Sequence, residues 1–96
     1  MPTYVTLARF TEQGAKNAKD TVQRAGAFRS DVEHRGGKVV SLYWTQGRYD
    51  IVVTIEAPDD QTAMAALLAV AGLGNVRTET LRAFDETEMG SIIQKI

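Results

Sequence analysis

Chemistry-bearing side chains cluster around one short stretch, Gly47-Arg48-Tyr49-Asp50, preceded by Tyr43-Trp44. A carboxylate flanked by aromatic rings can orient a small polar or aromatic ligand, with Trp44 and Tyr49 as walls and Arg82 as a counter-charge. Trp, Tyr and turn-flanking Asp also have structural uses: the rings fill core, and the Asp caps turn amides. Both readings of Tyr49-Asp50 stand at this level. We place Tyr4, Trp44, Tyr49, Asp50 and Arg82 together as candidate ligand-binding residues, expected to converge at one end of a sheet.

Other reactive types point to less. The chain has no Cys, which removes disulfides, thiolate nucleophiles and Cys-based metal sites. Its one His, His34, falls two residues past Val32, about 200° around a helix from the apolar stripe. That position suits a solvated last-turn residue, and it excludes a Ser-His-Asp arrangement built on a converging imidazole. No metal-ligand spacing is present, so neither metal nor cofactor is expected. Asp59-Asp60 could pass for paired carboxylates, but directly after Pro58 it reads as a helix cap. Arg77-Thr78-Glu79-Thr80 alternates charge and hydroxyl; it can line a polar cavity, or serve as an edge-strand or inter-subunit ladder. Thr11 to Gly14 precedes a helix but lacks the spacing of a phosphate loop.

The elements that must position these residues follow from periodicity. Thr3–Phe10 is β-branched and aromatic and reads as a strand, with Val5 and Leu7 on one face and Tyr4, Thr6, Ala8 and Phe10 on the other. Residues 13–35 carry Ala15, Ala18, Val22, Ala25, Phe28 and Val32 at helical steps and stop at Gly36-Gly37. Val39 to Thr45 and Tyr49 to Glu56 form a β-hairpin across Gln46-Gly47. The simplest register sets 44 opposite 49, 42 opposite 51 and 40 opposite 53, which puts Trp44, Tyr49, Leu42, Ile51, Val40, Val53 and Ile55 on a helix-covered face. A bulged turn would shift this register. A second helix starts at Asp59 and closes at Gly72 and Gly74; residues 75–84 form a fourth strand with edge-like charge alternation; Met89, Ile92, Ile93 and Ile96 mark a short terminal helix.

The order β-α-β-β-α-β plus a terminal helix is the ferredoxin-like, α+β pattern: a four-stranded antiparallel sheet with both helices on one face. The first and third strands are expected to be central and to run parallel. The face away from the helices would carry Tyr4, Thr6, Ala8, Phe10, Tyr43, Val52 and Thr54, with Asp50 at its end. That surface and the Ile-rich terminal helix are both too apolar to be left in water, which predicts a homodimer, with higher assembly open.

The 96 residues fit one domain spanning 1–96. Eleven basic against 12 acidic residues leave a net charge of −1, which argues against a nucleic-acid partner or a polybasic membrane segment. The N-terminus lacks signal-peptide character and no run suits a membrane span, so a cytoplasmic location is expected.

With its GRYD element in place, the chain resembles the GYD-domain family of small bacterial and archaeal proteins. The resemblance rests on Gly47-x-Tyr49-Asp50 together with PTYVTLARFTEQG, Gly36-Gly37, SLYWTQGRYDIVV, the APDD helix start and GNVRTETLRAF. It implies a ferredoxin-like fold of the dimeric α+β barrel kind. Proteins sharing that architecture include cofactor-free monooxygenases, haem-handling enzymes and amino-acid-sensing regulatory domains, and a shared fold does not carry function. Three functions therefore compete: a homodimeric accessory protein binding a small molecule between helices and sheet, a cofactor-independent monooxygenase-like enzyme acting on a small aromatic, and a structural interaction module.

Overall fold

The computed structural model describes all 96 residues. Strand β1 (Thr3–Phe10) leads into a short helix α1 (Glu12–Lys16), a 3₁₀ turn (Ala18–Asp20) and the main helix α2 (Thr21–His34). The hairpin β2 (Lys38–Trp44) and β3 (Ile51–Glu56) follows, then α3 (Asp60–Gly72), β4 (Val76–Ala83) and α4 (Glu86–Ile93). The strands form one sheet in the order β2-β3-β1-β4, every neighbouring pair antiparallel. This is the expected ferredoxin-like α+β fold.

Local chemistry sets the element ends. The Asp59 side chain caps α3 by accepting from the Thr62 amide at 2.8 Å. Asp85 and Glu88 form a reciprocal capping box on α4. α2 ends before Gly36, which adopts φ +87°, a conformation costly for residues with a Cβ. The helix expected over residues 13–35 breaks at Asn17, because Gly14 is drawn against the α3–β4 connection: a Cβ at Gly14 would lie 1.9 Å from the Asn75 carbonyl oxygen. Thr11 holds the same junction, its amide donating to Asn75 O at 3.0 Å and its hydroxyl to Gly74 O at 2.6 Å.

Three sequence expectations need correction. First, β1 and β3 run antiparallel. The α2 crossover returns β2 parallel to β1, and the hairpin then reverses β3, so no other sense fits. Second, the hairpin register is Trp44 opposite Ile51 and Leu42 opposite Val53, with Thr45 to Asp50 as a longer connection. A shift between Val39 and Ser41 turns Val39 into the core (7% exposed) and Val40 out to solvent (51%).

Third, the two faces of β1 are exchanged. Tyr4, Thr6 and Ala8 pair with Ile55, Val53 and Ile51 and lie under the helices, where Tyr4, Thr6 and Ala8 are all buried. The open face carries Val5, Leu7 and Arg9 of β1 in their place, beside the expected Tyr43 of β2 and Val52 and Thr54 of β3, with Arg77, Glu79 and Leu81 of β4. The core joins Tyr4, Val32, Val39, Val53, Ile55, Ala57, Ala63 and Ala66, with Phe28 and Leu42 packed on its edge. α4 buries none of its residues: Met89 and Ile93 are about half exposed, and Ile96, just past the helix, is fully so. No helix is long and apolar enough to cross a membrane.

Candidate functional site

The five candidate residues divide between opposite ends of the sheet, which follows from the antiparallel sense of β1 and β3. Tyr4 and Arg82 are cross-strand partners near the start of β1, the guanidinium 5.7 Å from the Tyr4 ring centre and 4.5 Å from that of Phe84. The Tyr4 hydroxyl donates to Asp60 in the first turn of α3. Burial of the phenol, reinforced by the Asp60 hydrogen bond and charge, pushes its pKa up to about 12, and Arg82 opposes the rise. No group of three or more His, Asp or Glu side chains is placed to hold a metal ion.

Trp44, Tyr49 and Asp50 lie at the other end. The Asp50 carboxylate accepts from the Phe10 amide at 2.8 Å, and the Asp50 amide donates to Ala8 O at 2.9 Å. Trp44 is not core: it is 43% exposed, with its indole N–H donating to the Thr21 hydroxyl at 3.0 Å. Tyr49 turns to the open side of the sheet, under the Arg9 guanidinium at 5.0 Å and 3.4 Å from Glu79 Oε1. His34 is exposed in the last turn of α2.

Between α2, α3 and the sheet lies a cavity of about 500 Å³, and none of the five lines it. Its floor is Thr6, Ala8, Ile51 and Val53; Ala25 and Phe28 form the α2 wall, and Leu67 and Val70 the α3 wall. Twelve of its 18 lining residues are hydrophobic, which decides its character as apolar. The volume falls within the range of ligand pockets, roughly 300–1,000 Å³. Its charged groups are already engaged, as is the Thr6 hydroxyl on its floor. Thr6 Oγ1 meets Thr80 Oγ1 at 2.9 Å, Asp31 pairs with Arg35 at 2.9 Å, and Arg24 donates to Asn17 O at 2.7 Å and Gly14 O at 3.3 Å.

Sequence reasoning missed this lining because it follows small side chains rather than reactive ones. Ala25 on α2 and Ala69 on α3 leave the two helices too thin to close over the sheet. Small residues on both facing stripes were the available signal.

The sequence profile of the GYD domain matches residues 4–93. The chain belongs to the GYD-domain family. This GYD protein is 33% identical over 90 residues to the glutamine synthetase and cystathionine beta-lyase binding protein of Thermus thermophilus, across 93% of this chain and 95% of that one. A solved protein from Thermus thermophilus is 25% identical and superposes with a TM-score of 0.57, over 88% of this chain and 95% of that one. A feast or famine regulatory protein from M. tuberculosis, complexed with L-methionine, reaches a TM-score of 0.68 at 14% identity. That match covers 88% of this chain and 51% of the other, so this GYD chain spans about half the regulator's length, and the likeness is one of fold.

Proposed function

We propose that this chain is a homodimeric accessory protein that binds a small, neutral, apolar molecule between its helices and its sheet. The observation that carries this reading is the apolar cavity bounded by Ala25, Phe28, Leu67 and Val70, whose flanking charges already have partners. An uncharged ligand would enter without displacing those contacts, whereas a zwitterion would bring two charges into an apolar space. The accessory role draws on the Thermus thermophilus relative, named for binding two metabolic enzymes. On this reading Asp50 and Tyr4 serve the architecture, and Trp44 holds the entry of α2 through Thr21.

Dimerisation is supported by the open sheet face, where Tyr43 is 64% and Leu81 49% exposed beside Val5, Leu7 and Val52. Ala25→Trp tests the cavity by filling it. Nile red, a neutral apolar dye, should fluoresce on binding the wild type and lose most of that signal with Ala25→Trp at unchanged Tm. Equal fluorescence from both proteins would count against the cavity as the binding site.

A further inference from the structure

Arg9 and Arg77 stand directly opposite each other across β1 and β4, and both are exposed. Cross-strand partners share a face at close Cβ spacing, and like charges placed so destabilise a sheet. Neither arginine has a carboxylate to offset this: the ion pairs of the protein are Arg35–Asp31 and Arg82–Glu88. Glu79 on the same face forms no ion pair with either and meets the Tyr49 hydroxyl at 3.4 Å, and Arg9 is held over the Tyr49 ring. With a net charge of −1, the chain has no general basic surplus to explain the pairing.

We propose that Arg9 and Arg77 form an oxyanion-binding site at this end of the open sheet face, with Tyr49 fixing the Arg9 guanidinium in place. Guanidinium groups carried on facing backbone positions can offer several N–H donors to one phosphate or carboxylate, a task that a planar fork serves better than an ammonium. The site is separate from the apolar cavity and stands whether or not that cavity binds a ligand; it lies at the end of the β1–β4 ladder, beyond the Val5–Leu81 pair at the centre of the proposed dimer face.

The test is thermal unfolding of the wild type and Arg77→Gln in chloride, inorganic phosphate and acetate at matched ionic strength. In chloride, Arg77→Gln should unfold on the order of 1–4 °C higher, because one of two facing like charges is gone. The wild type should gain roughly 2–3 °C in phosphate or acetate near the dissociation constant, and Arg77→Gln should not. Whichever anion gives the larger gain identifies the ligand group as phosphate or carboxylate. An equal anion response in both proteins would overturn the site. So would a lower Tm for Arg77→Gln in chloride, which would mean that Arg77 pairs with a carboxylate of a second copy.

Discussion

The Asp50 carboxylate accepts a hydrogen bond from the Phe10 amide at 2.8 Å, tying the end of the hairpin connection to the end of β1. The Asp50 backbone completes the tie, its amide donating to Ala8 O and its carbonyl accepting from Thr45 N. One residue therefore joins the β2–β3 connection to the central strand through both side chain and main chain. Asp50→Ala should cost about 1–3 kcal/mol, the range for leaving a partly buried amide unpaired. Asp50→Asn, which keeps an acceptor oxygen, should lose less. Urea denaturation checks both, and Nile red binding by the folded Asp50→Ala protein should match the wild type.

Two glycines in helical segments should respond oppositely to alanine. At Gly14 a methyl group would meet the Asn75 carbonyl at 1.9 Å, and backbone must move to admit it. Gly14→Ala should lose about 3 kcal/mol, at the upper end for overpacking. At Gly26, inside α2, nothing lies within 4 Å of the added methyl. Gly26→Ala should gain about 0.5–1 kcal/mol from helix propensity. The pair of denaturation midpoints is the measurement, and a change of the same sign in both would contradict the geometry.

Tyr4 gives the fold an alkaline limit. Its hydroxyl ionises near 10 in the unfolded chain and near 12 in the fold, so folding favours the neutral phenol. Its contribution is complete below pH 10 and is lost as pH rises from 10 through 12. In Tyr4→Phe that component is absent. The stability difference between wild type and Tyr4→Phe should be flat below pH 10 and shrink above it.

The open sheet face should drive self-association. Sedimentation velocity at micromolar concentration should give a dimer for the wild type and a monomer for Leu81→Asp, which places a charge among Val5, Leu7 and Val52. A wild-type monomer would contradict this part of the account.

The element order, the α3 cap and the edge position of β4 were legible in the sequence because each has a local cause, such as Asp59 after Pro58 and charges alternating from Arg77. The faces of β1 were not, since Val5 and Leu7 are as apolar as Tyr4 and Ala8. Arg9, two residues beyond Leu7, carried the deciding hint, because it shares their face and needs water. The hairpin register failed for a related reason. Gly47 does adopt φ +105°, but Asp50 captures the Phe10 amide and lengthens the connection from the expected turn to Thr45–Asp50. The candidate site was read from reactive side chains, and the cavity is defined by small ones.

Amide chemical shifts during a Nile red titration show whether the cavity between the helices and the sheet takes up an apolar molecule. Shifts should concentrate at Ala25, Phe28, Leu67, Val70 and Thr78, residues around the cavity. Shifts confined to Val5, Leu7, Val52 and Leu81 on the open face, or none at all, would contradict uptake there.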